Sequence, residues 1–117
     1  MPIVYAFDVD ETLEVSAGPV TLQSLMDLRN AGHIVGLCGN WGLFVRVVPG
    51  WHHLASFVNA GMDKTQFLLQ LKTYVPADDF VMVGNILGIT GASDDQGAAQ
   101  RAGWRFIAEH KFAAGMR

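Results

Sequence analysis

Short apolar runs alternate along this chain with segments whose apolar residues have helical spacing. The runs cover Ile3–Phe7 and residues 33–38, 80–83 and 104–108. The first run is β-branched and aromatic without polar alternation, which is typical of a strand buried on both faces of a parallel sheet. Four such runs, each separated from the next by a helical pattern, predict an α/β fold.

Three segments carry the helical pattern together with its start signals. Apolar residues at positions 22, 25, 26 and 28 predict a helix within residues 20–31, for which Thr21 is a suitable N-cap. Asp63 precedes a second predicted helix, Lys64–Tyr74, and a third is predicted over residues 96–102. Strands and helices together predict a three-layer sandwich around a mostly parallel, Rossmann-like sheet with right-handed crossovers.

Two segments give a weaker pattern. Residues 39–61 are very apolar but are interrupted by Pro49 and Gly50, and the helix predicted there covers residues 52–60 and is closed by Gly61. The tail, residues 109–117, contains no clear pattern. We therefore predict no element for the tail.

Composition indicates one folded domain over residues 1–117. Half of the residues (50%) are hydrophobic and 16% are charged, which supplies a core and excludes a disordered chain. The net charge of −3 argues against nucleic-acid binding. The single cysteine, Cys38, cannot form an internal disulfide, and no apolar run is long enough for a membrane span or a signal peptide. We expect a cytoplasmic protein without a membrane partner.

Polar and small residues follow the first three predicted strands, where ligands bind in open parallel sheets. They are Asp8 and Asp10 after the first strand, Cys38, Gly39 and Asn40 after the second, and Gly84 and Asn85 after the third. Two carboxylates two residues apart repel each other unless a cation or protons intervene. The alternative is an acidic strand end at which Asp10 or Glu11 caps a turn. The buried strand before the pair favours a functional site.

Three stretches of the chain resemble motifs of the haloacid dehalogenase-like superfamily, whose members are mostly magnesium-dependent phosphatases. Residues 7–13 match its first motif, residues 62–65 are similar to the third, and residues 95–104 resemble the closing part of the fourth. The first stretch reads Phe7-Asp8-Val9-Asp10-Glu11-Thr12-Leu13, and the second reads Met62-Asp63-Lys64-Thr65. The motifs occur in the family's order over nearly the whole chain.

The resemblance implies a role for each matched residue. Asp8 is expected to be the nucleophile, and Asp10 the general acid and base. Lys64 is expected to neutralise the phosphoryl oxygens. Mg²⁺ is expected to be held by Asp8, by the main-chain carbonyl of Asp10, and by Asn85 and Asp95 of the fourth motif.

Two motifs depart from the family pattern. Cys38 or Gly39 stands where a Thr or Ser hydroxyl normally binds phosphate, and Asn40 is a candidate replacement donor, so these three are the predicted substrate-binding residues. Asn85 stands where the fourth motif has an acid. The next acids follow ten residues later; Asp95 has the better register for a metal ligand, with Asp94 as the substitute.

These observations predict a Mg²⁺-dependent phosphohydrolase, a phosphomonoesterase working through an aspartyl-phosphate on Asp8. The alternative is a catalytically degenerate domain that binds a phosphorylated ligand or a protein partner without turnover, which Asn85 favours. Transfer of another group, such as a halide, is disfavoured by Asp10, because the dehalogenases of the family lack that second acid. The segment between Leu13 and the next helix and the segment over residues 39–61 are too short for a typical lid domain, so we predict a member without a cap domain. Its open site would be covered by a large substrate or by a neighbouring subunit, and the second alternative predicts a homo-oligomer.

Overall fold

The computed structural model describes residues 2–59, 62–91 and 93–117. Its strands are β1 (Ile3–Phe7), β2 (Ile34–Leu37), β3 (Asp79–Gly84) and β4 (Arg105–Ala108). Its α-helices are α1 (Leu22–Asn30), α2 (Trp41–Val47), α3 (Lys64–Tyr74), α4 (Asp95–Ala102) and α5 (Glu109–Ala113), with 3₁₀ turns at Glu14–Ser16 and Trp51–His53. The predicted α/β class is confirmed.

All four strands are parallel and lie in the order β2-β1-β3-β4. Phe7, the last residue of β1, lies opposite Leu37 of β2 and Val83 of β3. The carboxyl ends of these three strands therefore meet at one edge of the sheet, as the sequence predicts. β1 is central, so the residue that follows it has neighbours on both sides.

Alternate strand residues belong to two separate hydrophobic clusters. Tyr5 and Phe7 of β1 belong to one cluster, and Val4 and Ala6 belong to the other. The first cluster also takes Leu25 from α1, Phe44 from α2 and Phe112 from α5, and the second takes Leu68 from α3 and Ala99 from α4. Burial on both sides explains why β1 shows no polar alternation.

Side-chain caps fix the starts of the three predicted helices. Thr21 accepts a hydrogen bond from the Ser24 backbone N–H at the start of α1, and Asp63 accepts one from Gln66 at the start of α3. Asp94 caps α4 in the same way. These caps supply acceptors for backbone N–H groups that have no partner within the helix. Within the described ranges, no helix has the length and apolar character needed to cross a bilayer.

The predicted helix over residues 52–60 is wrong. The chain forms α2 earlier, makes a single 3₁₀ turn at Trp51–His53, and then runs alongside β2. The Leu37 N–H donates to the Phe57 carbonyl at 2.9 Å, and the Asn59 N–H donates to the Leu37 carbonyl at 3.1 Å. An edge strand leaves backbone groups unpaired, and this segment satisfies them. The predicted end of that helix, at Ala60 and Gly61, lies outside the described residues.

The tail contains a helix that the sequence did not predict. The ring of Phe112, in α5, lies with its centroid 5.2 Å from that of Phe7 and 6.3 Å from that of Tyr5. A five-residue helix is too short to show a periodic pattern and depends on tertiary packing. Phe112 therefore ties the end of the chain to the central strand.

We expect Phe112→Ala to lower the free energy of unfolding by about 3–5 kcal/mol, because a buried aromatic side chain is lost and a cavity remains. Tyr74→Ala is the matched control, because Tyr74 is 78% exposed. It should change stability by no more than about 0.5 kcal/mol. Urea unfolding followed by circular dichroism measures both, and equal losses in the two variants would contradict the packing role of α5.

Candidate functional site

The site is centred on Asp8, directly after β1. This residue is only 2% exposed, and its backbone N–H donates to the Val83 carbonyl at 2.9 Å, which continues the pairing of β1 with β3. Its two carboxylate oxygens face different partners. Oδ1 accepts a hydrogen bond from Lys64, and Oδ2 lies against the side-chain amide of Asn85.

Lys64 joins two acids that are far apart in the sequence. Its Nζ lies 3.0 Å from Asp8 Oδ1 and 2.5 Å from Asp95 Oδ1. Lys64 is the first residue of α3, so the Asp63 cap that starts this helix also sets the position of the ammonium group. The Lys64 side chain keeps 24% of its surface exposed.

Asp95 is fully buried, and both of its oxygens have partners. Oδ1 contacts Lys64, and Oδ2 accepts a hydrogen bond from the Asn85 backbone N–H at 2.8 Å. The close approach needs Gly84, because a Cβ at that position would collide with Asp95 Oδ2. Asp95 thus holds Lys64 and the backbone of Asn85 in place. The neighbouring Asp94 is outside the group, where it caps α4 and pairs with Arg101.

Two carboxylates and one ammonium leave an uncompensated negative charge. Burial, followed by repulsion from Asp95, raises the pKa of Asp8 to about 7, although the Lys64 ammonium acts in the opposite direction. The same two acids raise the pKa of Lys64 against the effect of its burial. Both shifts follow from one cation serving two anions in a desolvated space.

The Asn85 side chain completes the inner part of the site. It is 1% exposed, and one terminal atom of its amide lies 2.8 Å from Asp8 Oδ2, 3.2 Å from the Asp10 carbonyl oxygen and 2.9 Å from Thr12 Oγ1. Thr12 is completely buried. It is a site residue to which sequence analysis gave no role, although it lies inside the first motif.

The turn after Asp8 brings the Asp10 carbonyl inward. The Thr12 and Leu13 N–H groups both donate to the Val9 carbonyl, and Glu11 has a φ of 60°. A left-handed conformation costs a non-glycine residue about 1–2 kcal/mol. Strain of this kind, next to the paired acids, is typical of a functional turn.

The spacing of the inner atoms fits a small cation when the Asn85 amide turns its oxygen inward. An octahedral Mg²⁺ with bonds of about 2.0–2.1 Å places neighbouring ligands about 3 Å apart. The Asn85 atom lies 2.8 Å from the Asp8 carboxylate and 3.2 Å from the Asp10 carbonyl, close to that spacing. Of the predicted metal ligands, these three converge, whereas Asp95 faces Lys64 and the Asn85 backbone. Elsewhere among the described residues, as here, no three His, Cys, Asp or Glu side chains form a metal-binding group.

The loop after β3 is held in place by a third buried acid, Glu109. Thr90 Oγ1 accepts a hydrogen bond from the Ile86 N–H at 2.8 Å and donates to Glu109 Oε2 at 3.3 Å. Glu109 is 4% exposed and opens α5. Gly91 packs so closely on Asn85 that a Cβ there would collide with the amide. These contacts fix the Asn85 side chain from the side opposite Asp8.

The three predicted substrate-binding residues, which follow β2, lie in three different environments. Cys38 is fully buried, and burial raises the pKa of its thiol to about 12, which excludes a reactive thiolate. Gly39 lies so close to Asp8 Oδ1 that a Cβ would collide with it. The exposed Asn40 donates its amide N–H to Asp10 Oδ1 at 3.1 Å and so orients that carboxylate.

Comparison with protein-family models, curated proteins and solved structures found no match for this chain. The function of the site is therefore inferred from its own geometry and chemistry.

Replacing Lys64 by Met should lower the free energy of unfolding by about 3–5 kcal/mol at pH 8 in EDTA, because two buried carboxylates lose their cation. The loss should be smaller at pH 5, where Asp8 binds a proton. Lys111→Met, at an exposed position, is the control. Denaturant unfolding at both pH values measures the effect, and equal stability of the two variants would exclude a structural role for the ion pair.

In EDTA, the stability of the protein should fall as the pH rises from about 4 to about 7. The pKa of Asp8 is about 7 in the folded chain and 3.8 in the reference state, so in this range the folded protein holds a proton that the unfolded chain has lost. Asp8→Asn should show a smaller decline over the same range. Identical pH profiles of thermal unfolding for the two proteins would contradict the raised pKa.

Proposed function

We propose that this chain is a Mg²⁺-dependent phosphohydrolase, a phosphomonoesterase, with a three-layer haloacid dehalogenase-like fold and no cap domain. The observation that carries the proposal is the convergence of Lys64 and Asn85 on the two oxygens of Asp8. Lys64 lies 56 residues from Asp8 in the sequence, and Asn85 directly follows β3. A buried carboxylate with an ammonium at one oxygen and at the other an amide that could offer its carbonyl to Mg²⁺ suits attack on a phosphate ester.

Asp8 is the proposed nucleophile. A carboxylate oxygen attacks phosphorus, the bond from phosphorus to the ester oxygen breaks, and an aspartyl-phosphate forms. Asp10 donates a proton to the leaving oxygen and then removes one from the water that hydrolyses the aspartyl-phosphate. The Asn40 amide donates to the exposed Asp10 carboxylate and orients it for this role.

Lys64 supplies the fixed positive charge in this mechanism. Its ammonium group already contacts an oxygen of Asp8, and its side chain is 24% exposed. Asp95 holds the lysine in that position, so little reorganisation is needed as negative charge moves onto the leaving oxygen. Asp95 is thus proposed to act as a positioning residue.

Mg²⁺ would be held by the Asp8 carboxylate, the Asp10 main-chain carbonyl and the Asn85 side-chain carbonyl. When bound there, it would offset the repulsion between the nucleophile and the phosphate. The spacing of these atoms supports this part of the proposal.

The rim of the proposed site is open and partly apolar. Trp41, Leu87 and Ile89 follow the carboxyl ends of β2 and β3, and 40%, 56% and 77% of their respective surfaces are exposed. A phosphorylated substrate with an apolar part, or a second copy of the chain acting as a lid, would cover them. We place this activity in the cytoplasm, in keeping with the composition.

A second candidate is a domain that binds a phosphorylated ligand or a protein partner without turnover. Asn85 favours it, because an amide brings no charge to the cation, and so does Gly39, which supplies no hydroxyl and packs against Asp8. Binding without hydrolysis in the experiment below would select this function.

Hydrolysis of an aryl phosphate should require Mg²⁺ and should fall by about 10³-fold or more in Asp8→Asn, because the nucleophile is removed. Asp27→Asn is the matched control, since Asp27 is exposed in α1. Phosphate release is measured with and without EDTA. Activity that survives in Asp8→Asn would refute the assignment of the nucleophile.

A further inference from the structure

The Asn85 amide can take two orientations that fill the same space but exchange the positions of its hydrogen-bond donor and acceptor. Rotation by half a turn exchanges Oδ1 and Nδ2 without changing the space that the side chain fills, so hydrogen bonding decides between them. With Oδ1 inward, the Thr12 hydroxyl donates to it at 2.9 Å. When Asp8 is ionised, the same oxygen faces the acceptor oxygens of Asp8 and Asp10 at 2.8 and 3.2 Å without a proton to share.

The reversed orientation gives the inner acceptors a donor without a cation. Nδ2 then points inward and can donate to Asp8 Oδ2 and the Asp10 carbonyl, with the Thr12 hydroxyl as a third acceptor within reach. Hydrogen bonds to a buried carboxylate stabilise its charge. An inward amide therefore compensates part of the negative charge that Lys64 leaves on Asp8 and Asp95.

The outer end of the amide does not fix the choice. The outward atom has the Thr90 carbonyl as its hydrogen-bond partner, at 3.5 Å, which is too long for a strong bond. Reversal gives up only this long bond and leaves Oδ1 facing the Thr90 carbonyl oxygen. The orientation of the amide is therefore decided by Asp8, by the Asp10 carbonyl and by whether a cation lies between them.

We propose that the Asn85 side chain is a two-way amide, that is, an amide that reverses its orientation when Mg²⁺ binds. Without the metal, it bonds to the groups that Mg²⁺ would otherwise contact. In the metal-free protein its NH₂ group points inward and bonds to Asp8 and Asp10; when Mg²⁺ binds, the amide turns and its oxygen becomes a ligand. The Thr12 hydroxyl changes from acceptor to donor in the same exchange. This inference rests on the metal-binding part of the proposed function.

The consequence is a folded, stable metal-free protein at the expense of weaker binding of the cation. An acid at position 85 would add a third buried carboxylate beside Asp8 and Asp95, with only Lys64 to compensate. It would attract Mg²⁺ more strongly but would leave the metal-free fold with unpaired charge. Asparagine avoids that charge.

The first test compares Asn85→Asp with the unmodified chain by thermal unfolding, in EDTA and in excess MgCl₂ at matched ionic strength. In EDTA, Asn85→Asp should melt at least about 5 °C below the unmodified chain, and MgCl₂ should restore most of the difference. Asn30→Asp adds the same charge at an exposed position and should show no Mg²⁺-dependent recovery. An Asn85→Asp variant as stable as the unmodified chain in EDTA would overturn the inference.

The second test needs no variant. The side-chain NH₂ resonances of Asn85, assigned through bonds in ¹⁵N-labelled protein, should be protected from solvent exchange in EDTA. They should shift at saturating MgCl₂, as the group turns away from Asp8. Resonances that do not change with Mg²⁺ would also overturn the inference, and this measurement decides if Asn85→Asp does not fold.

The two proposals fail separately. Mg²⁺-dependent hydrolysis with an unresponsive Asn85 amide would remove only the two-way amide. An amide that responds to Mg²⁺ in a chain without hydrolysis would retain it and remove the phosphohydrolase.

Discussion

A single ammonium group shared by two buried carboxylates is the constraint on which this structure depends. Lys64 at the start of α3 contacts Asp8 after β1 and Asp95 at the start of α4. Burying these charges is costly unless all three meet, so the contact requires one relative placement of a strand and two helices. The Asp63 and Asp94 caps help by fixing where each helix begins. The contacts of Lys64 with the two acids therefore both build the candidate site and hold β1, α3 and α4 together.

The same arrangement leaves one negative charge over, and the rest of the site is built around it. This excess negative charge contributes to the raised pKa of Asp8. An amide at position 85 compensates it by hydrogen bonding, and a divalent cation would do so by charge. A phosphate ester could approach only after such compensation, because it is itself an anion. Stability and the proposed activity thus make opposite demands on Asp8, since removing its charge would favour folding and abolish the nucleophile.

Close packing around Asp8 and Asp95 accounts for the glycines at positions 39 and 84. Gly39 and Gly84 each lie where a Cβ would collide with one of these acids. A hydroxyl-bearing residue at position 39 would displace Asp8 Oδ1 from its contact with Lys64. Asn40 contacts the Asp10 carboxylate instead of offering its amide to the inner site. Gly39 and Asn40, which follow β2, therefore help to position Asp8 and Asp10 and do not add a side-chain donor next to Lys64.

Local sequence determined the strands, the three capped helices and the residues that meet at the sheet edge, because strand burial and capping depend on neighbours in the chain. It did not determine the helix that carries Phe112, or the segment that pairs with β2, because both are stabilised by contacts with distant strands. In the site, the paired acids and Lys64 were predictable from the motif. That Asp95 binds the lysine, and that Thr12 and Asn85 share an amide contact, was decided only by the order of the sheet, which brings residues 31 and 73 positions apart within hydrogen-bond distance.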